Sequence, residues 1–302
     1  MKGPNSLEGE IVIVANPAAQ GGRVALRLRR MESALTGRVR VAWTEGTGDG
    51  IRLAAEAVGG GCATVVAAGG DGTVNEVANG IRRAGGGAAL GVLPFGTMNV
   101  FARELRLPLR RPAEAWSIIK ARRLRAVDCF VAGAECFVQM GGVGLDAAVV
   151  RQTSRRWKRW IGPLSYVLKG IELMQKSPEP LRVRVAGGRE FEGAAVLFGN
   201  GKFFGGSVAF FPRAANGDGL LDVLVFRNQD YAGLLRVLEW IARRRELPKE
   251  EAFYLQTRKL SVSAAKPVPY ELDGEWRGET PLEIVLDAQP LRVCVPLGKK
   301  AR

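Results

Sequence analysis

The sequence contains no histidine. Imidazole general bases, histidine metal ligands and serine–histidine triads are therefore excluded, and acid–base chemistry near neutral pH falls to carboxylates, lysines, tyrosines or cysteines. Cysteine is scarce: Cys62, Cys129, Cys136 and Cys294 are scattered, with no Cys-x-x-Cys pair. That argues against a zinc site or a disulfide framework and suits a reducing compartment. No apolar run approaches the length of a membrane span, and the opening residues MKGPNSLEGE carry no apolar signal core. The expectation is a cytoplasmic protein that binds a membrane at its surface at most. Internal repeats, low-complexity linkers and nucleic-acid-binding motifs are also missing.

Acid is in deficit, with 30 Asp and Glu against 44 Lys and Arg, a net charge of +14. Such a field attracts polyanions, either nucleic acid or anionic lipid. The basic run RQTSRRWKRW, residues 151–160, embeds Trp157 and Trp160 among arginines. Indoles beside cations suit a lipid headgroup layer, where each nearby cation gains about 1 kcal/mol from an anionic leaflet. Stacking on single-stranded bases and a plain solvated helix face are the alternatives.

What the chain does contain is organised in two parts. Its 302 residues, 47 % apolar, suffice for one large or two medium domains. Residues 10 to about 120 alternate apolar strands with helical stretches: 10–15 then 22–35, 38–43 then 49–58, 62–68 then 73–84, 88–93 then 98–105, and a helix near 112–121. That alternation predicts parallel strands with crossover helices, and loops gathered at the strands' C-terminal ends. From about residue 124 the period becomes two, as in LRVRVAGGREFEGAAVLF, residues 181–198, with a turn at Gly187-Gly188. A mainly antiparallel β-sandwich follows, interrupted by a helix begun by Pro163 and another over 230–243. The expected domains are 1–122, α/β, and 123–302, a β-sandwich. The last residues either stay with the sandwich or pack back on the first domain.

The segment AAGGDGTVNEVANG, residues 67–80, is the most informative. Thr73 and Glu76 have capping-box spacing, so a helix should start at Thr73 with free N–H groups aimed into the turn. Those donors, the helix dipole and the bare backbones of Gly69, Gly70 and Gly72 favour a phosphate. Asp71 would repel a bare phosphate, so its presence suggests a divalent cation such as the Mg²⁺ that accompanies ATP. A tight strand-to-helix turn with no ligand is the alternative. The loop is no Walker motif, since no Gly-Lys-Ser/Thr follows.

With this loop the sequence resembles the diacylglycerol kinase catalytic-domain family, which includes bacterial lipid kinases and sphingosine kinases. The likeness continues in NPAAQGG, residues 16–22, in Thr44 after the second strand, and in LPFGTMNVFAREL, residues 93–105. It extends to ANGDGLLDV, residues 215–223, and ELDGEW, residues 271–276. It implies an ATP-dependent lipid kinase with its active site in the cleft between the two domains. Asn16, Thr44, Gly69, Gly70, Asp71, Gly72, Thr73, Asn75, Glu76, Gly96, Thr97 and Asn99 would form the nucleotide site. Asp273 or Glu275 would be the proton acceptor, the other orienting it. Asp218, with the carbonyls of Ala215 and Leu220, would hold a structural or regulatory Mg²⁺, although a simple hairpin turn explains that loop equally well. One position departs: where relatives commonly carry aspartate after the Asn of Gly-Thr-x-Asn, Asn99 is followed by Val100.

The implied partner is a lipid acceptor at an anionic membrane surface, bound through segment 151–160, with no nucleic acid; a homodimer stays open. NAD kinase, which shares a Gly-Gly-Asp-Gly-Thr loop, is one alternative activity. A non-catalytic module binding nucleotide and membrane is the other.

Overall fold

The computed structural model describes residues 9–144, 179–228, 236–237, 239–240, 247 and 250–297. The basic segment 151–160 and the helix expected after Pro163 lie outside them. Of the helix expected over 230–243 only residues 236, 237, 239 and 240 are described, and these are helical. The chain forms two compact units, one of residues 1–127 with 289–302, the other of residues 128–288.

The first unit is built on a six-stranded sheet of order β2-β1-β3-β4-β18-β5. Its strands are β1 (Ile11–Ala15), β2 (Val39–Trp43), β3 (Thr64–Gly69), β4 (Ala89–Pro94), β5 (Leu124–Val127) and β18 (Leu291–Cys294). β2, β1, β3 and β4 run parallel in register, Ile13 opposite Val41 and Val66, and Ala68 opposite Leu93. Every residue of β3 and β4 is buried, which is why they read as unbroken apolar runs and not as alternating ones. β18 comes from the far end of the chain and inserts between β4, to which it is parallel, and β5, to which it is antiparallel.

The helices α1 (Val24–Arg29), α2 (Asp49–Gly59), α3 (Asp71–Arg83), α4 (Val100–Glu104) and α5 (Pro112–Ala121) cover the sheet. Three differ from expectation. The helix predicted over 22–35 is only six residues long, because the chain tightens past Arg30 into i→i+3 bonds such as Ala34 N–H to Met31 O at 2.7 Å. The helix predicted over 98–105 begins at Val100, since Asn99 takes a left-handed conformation (φ 48°) that no helix interior accepts. α3 begins at Asp71, two residues before the predicted start. Trp116 and Ile119 of α5 are buried against Ile13, Val66 and Leu93. The Trp116 indole donates to Ala34 O at 2.7 Å, satisfying its one polar atom.

The second unit is a sandwich of two six-stranded sheets, β10-β9-β14-β17-β6-β7 and β13-β12-β11-β8-β15-β16. The first contains β6 (Phe130–Ala132), β7 (Glu135–Phe137), β9 (Leu181–Val185), β10 (Glu190–Gly193), β14 (Lys259–Ala264) and β17 (Leu282–Leu286). The second contains β8 (Met140–Val143), β11 (Ala195–Gly199), β12 (Leu221–Phe226), β13 (Ala252–Thr257), β15 (Pro269–Leu272) and β16 (Glu275–Glu279). All their pairings are antiparallel. β9 alternates buried Leu181, Val183 and Val185 with exposed arginines, the pattern of a sheet with one solvated face. Phe137, Phe198, Val223, Val262 and Ile284 fill the space between the sheets, each such side chain worth roughly 1.5–3 kcal/mol of burial. Leu224 and Phe226 point the other way, into a smaller cluster with Phe204, Phe211 and Val237. Hence β12 is buried on both faces.

Candidate active site

In the first unit four loops leave the C-terminal ends of parallel strands, and backbone bonds tie them together. Thr44 N–H reaches Ala15 O at 2.9 Å, Asn16 N–H reaches Ala68 O at 3.1 Å and Phe95 N–H reaches Gly69 O at 2.8 Å. Asn16 Oδ1 accepts from Ala18 N–H at 2.9 Å, turning the first loop back on itself. Gln20, with φ 48°, then donates from Nε2 to Gly96 O at 2.8 Å and fastens the first loop to the fourth. The sequence offered no signal for Gln20, because a positive φ at a non-glycine residue follows from the loop around it.

The third and fourth loops pack backbone on backbone. A β-carbon on Gly96 would stand 2.3 Å from Gly70 Cα, and one on Gly69 would stand 2.2 Å from Thr73 Oγ1. Only glycine permits that approach. Asn99 closes the fourth loop in both directions, its Oδ1 accepting Gly96 N–H at 2.9 Å and its Nδ2 donating to Gly96 O at 2.8 Å. Asn16, Thr44, Gly69, Gly70, Asp71, Gly72, Thr73, Gly96, Thr97 and Asn99 thus share one edge of the sheet, beside the N-terminus of α3.

The capping box is corrected. α3 starts at Asp71 with Gly70 as a cap that offers no side chain. Glu76 does not return to its own helix start; its two oxygens accept Gly48 N–H at 2.9 Å and Gly50 N–H at 3.0 Å, holding the loop that opens α2. Asn75 is buried and accepts through Oδ1 from Asn79 Nδ2 at 3.2 Å, one turn along α3. Glu76 therefore braces the loop before α2 from behind, whereas Asn75 pairs along its own helix.

Asp71 has a protein partner on the next helix. Its Oδ1 accepts the amide of Phe101 at 3.1 Å, so the first residue of α3 caps the first turn of α4. Burial raises the affinity of this carboxyl for its proton, and the amides of Phe101, Val100 and Asn99 oppose the shift. Val100, which follows Asn99, is buried.

In the second unit Asp273-Gly274 forms the turn between β15 and β16, with φ 49° and 81°, the primed geometry that suits hairpins. This turn is not solvated. Asp273 is buried, its Oδ1 accepts the amides of Gln139 and Met140 and its Oδ2 that of Val138, all at 3.0 Å. Its own amide returns to Met140 O at 2.8 Å. Glu271, buried two residues earlier on β15, accepts Gly274 N–H at 2.6 Å and completes the turn. Glu275 opens β16 and pairs through Oε2 with Arg277 Nη2 at 3.2 Å; Oε1 has no partner among the described residues. Arg277 went unnoticed in the sequence, although residues two apart on a strand share a face.

The Ala215–Leu220 loop is closed by its own bonds. Ala215 O accepts Gly217 N–H at 2.6 Å and Asp218 N–H at 3.2 Å, Asp218 Oδ1 accepts Leu220 N–H at 3.0 Å, and Asp128 Oδ2 accepts Gly219 N–H at 2.7 Å. Nearby Asp222 is fully buried and bonded to Tyr254 and Gln256; burial pushes its carboxyl up to about 6. No group of three or more carboxylates or thiols able to hold a metal occurs among the described residues. One carboxylate with a few carbonyls matches an ion that keeps most of its waters.

A parallel α/β unit with glycine loops at its strand ends, followed by an antiparallel sandwich, defines a two-unit kinase fold. Residues 10–132 match the diacylglycerol kinase catalytic domain, and residues 140–295 match the YegS C-terminal NAD kinase beta sandwich-like domain. "Probable lipid kinase YegS-like" of Pseudomonas aeruginosa (strain UCBPP-PA14) is 34 % identical over 271 residues, 86 % of this chain and 85 % of that protein. The "Diacylglycerol kinase" of Bacillus subtilis (strain 168) is 29 % identical, covering 78 % of each chain. A crystal structure of a diacylglycerol kinase from Bacillus anthracis str. Sterne superposes with a TM-score of 0.75 at 22 % identity, covering 95 % of this chain and 97 % of that one. The chain belongs to the diacylglycerol kinase catalytic-domain family and is a kinase of that family.

Proposed function

We propose that the protein transfers the γ-phosphoryl group of ATP, carried with Mg²⁺, to the hydroxyl of a diacylglycerol-like or sphingoid lipid. The observation that carries this reading is the set of four loops bonded together beside the α3 N-terminus, where amides and the helix dipole favour a polyphosphate. Mg²⁺ would arrive on the phosphates, supplying charge neutralisation in the transfer. The names of the relatives support a lipid acceptor.

Glu275 is the proton acceptor in this reading and Asp273 its anchor. Both Asp273 oxygens already serve three amides, whereas Glu275 keeps one oxygen without a described partner. As the lipid oxygen bonds to the γ-phosphorus, its proton passes to Glu275 and the bond to the β-phosphate bridging oxygen breaks. ADP leaves with that electron pair. No helix among the described residues is long and apolar enough to cross a membrane; the acceptor would be met at an anionic surface through the basic run 151–160, with the protein cytoplasmic and peripherally attached.

Radiolabelled ATP offered with a panel of diacylglycerol, sphingoid base and NAD tests the reading. Labelled lipid supports it. Labelled NAD replaces it with a soluble-acceptor kinase, and ATP binding without any product replaces it with a binding module. Sedimentation with phosphatidylglycerol vesicles, before and after Arg155 and Arg156 are changed to Ala, tests the membrane surface.

A further inference from the structure

Arg277 joins the outer edges of the two sheets of the sandwich. Its Nη2 meets Glu275 Oε2 at 3.2 Å on its own strand β16, the edge of one sheet. Its Nη1 meets Glu135 Oε2 at 3.0 Å on β7, the edge of the other. The Arg277 side chain is 23 % exposed, that of Glu275 37 % and that of Glu135 31 %, so the cluster is partly withdrawn from water and less screened than a surface pair. One cation therefore serves two carboxylates, leaving a net negative charge.

The arrangement is poorly explained as a device for stability. Arg277 Nε is buried and has no acceptor among the described residues, and a buried ion cluster is often no more stable than apolar side chains of equal volume. Its geometric effect is more specific. A glutamate at the first residue of a strand has three side-chain torsions to fix. Arg277, two residues along the same face, takes Oε2 and so fixes the carboxylate plane while Oε1 stays unengaged. The grip on Glu135 prevents the guanidinium from swinging away with its partner.

We propose that Arg277 is a positioning residue for phosphoryl transfer, holding Glu275 by Oε2 so that Oε1 is presented to the acceptor hydroxyl. This rests on the reading of Glu275 as proton acceptor. The expectation is that Arg277→Ala lowers kcat at least tenfold with KM for ATP within twofold of wild type. Arg277→Lys, which keeps a cation but loses the planar fork, should recover part of kcat. Ethylguanidine added to Arg277→Ala should raise kcat, and added to wild type should not.

The experiment uses the full chain, the lipid of the panel that wild type labels, and thermal melts of each variant. Arg277→Met, which refills the volume, stands in if the alanine variant does not fold. If Arg277→Ala and Arg277→Met keep wild-type kcat while Glu275→Gln is inactive, the positioning role is overturned and the base assignment stands. Loss of kcat that neither lysine nor ethylguanidine restores reduces Arg277 to a structural brace and also overturns it. If Glu275→Gln retains wild-type kcat, or wild type labels no lipid, the base assignment fails and the role of Arg277 falls with it.

Discussion

Asp71 and Phe101 are joined across thirty residues of chain by a 3.1 Å bond, the carboxylate of the glycine loop accepting the first-turn amide of α4. The loop on β3 is therefore rigidly coupled to the loop on β4. Asp71→Ala removes a cap and is expected to cost about 1–2 kcal/mol of stability and to weaken ATP binding. Asp71→Asn keeps an acceptor and should lose less. Burial raises the Asp71 carboxyl above its ordinary 3.8, so the folded state holds this proton more tightly than the unfolded chain. Its contribution is then fully present below 3.8 and declines as pH rises through the folded value. Asn does not titrate. Urea unfolding across pH 4 to 7 should show the stability of wild type relative to Asp71→Asn lower at pH 7 than at pH 4; a constant difference would contradict the assignment.

Gly96→Ala tests the packing of the two loops. Its new β-carbon would stand 2.3 Å from Gly70 Cα and 3.1 Å from Gly70 N, and backbone atoms cannot rotate away as a side-chain tip can. Overpacking of this kind costs about 1–3 kcal/mol, and the forced separation would splay the amides proposed to face the phosphates. Calorimetric titration should show ATP affinity reduced by at least about tenfold, since 1.4 kcal/mol suffices for that factor. Affinity equal to wild type would mean that the phosphates bind elsewhere.

Much of this was legible from the sequence because it follows from period and position. Apolar runs bounded by glycine gave β3 and β4, and alternation gave β9 and the Gly187-Gly188 hairpin. What sequence could not supply was the identity of long-range partners. The spacing of Thr73 and Glu76 fits a capping box, yet Glu76 finds better donors at Gly48 and Gly50, more than twenty-five residues away in sequence. Likewise the carboxylate of Asp71 was legible only as a charge in a phosphate-like turn; that it accepts an amide of α4 was not. Asp273-Gly274 is a hairpin turn by local rules, and only the amides of Val138, Gln139 and Met140 show that its carboxylate is an anchor. β18 is short and alternates only weakly, and its place in the middle of the first sheet depends on a chain reversal that no local pattern encodes.

Asp273 and Glu275 should separate stability from activity. Asp273→Asn retains one acceptor oxygen and turns an NH₂ group towards amides that can only donate. Each buried donor left unsatisfied costs about 1–3 kcal/mol, so melting should fall by several degrees, with kcat lowered as the 137–140 segment loosens. Glu275→Gln loses one partly exposed ion pair but keeps an oxygen for Arg277, a loss of about 1 kcal/mol. Its melting temperature should stay close to that of wild type while kcat drops by about 10²–10⁴. The reverse pattern, a stable Asp273→Asn and a collapsed Glu275→Gln, would exchange the two roles.

Cys294 ends β18 in the centre of the first sheet's core, beside Ala115, Trp116 and Ile119. Burial pushes its thiol up from 9.0 to about 11, with Arg122 pulling weakly the other way. A thiolate is the reactive form, so iodoacetamide at pH 8 should leave Cys294 unmodified in the native protein and alkylate it in urea. The same shift gives a stability signature. Between pH 9 and 11 the unfolded chain ionises this thiol while the folded one keeps its proton, so the stability it contributes is complete below 9 and lost as pH rises towards 11. A two-unit shift at 1.36 kcal/mol each bounds the loss at roughly 3 kcal/mol. Lysines and tyrosines titrate over the same range, so the measurement is the difference between wild type and Cys294→Ala in urea unfolding with reductant present. At pH 8 the alanine variant should be the less stable because of the small cavity it leaves, and by pH 11 that disadvantage should shrink or reverse. A difference independent of pH would mean that water reaches the thiol, and that β18 does not seal this core.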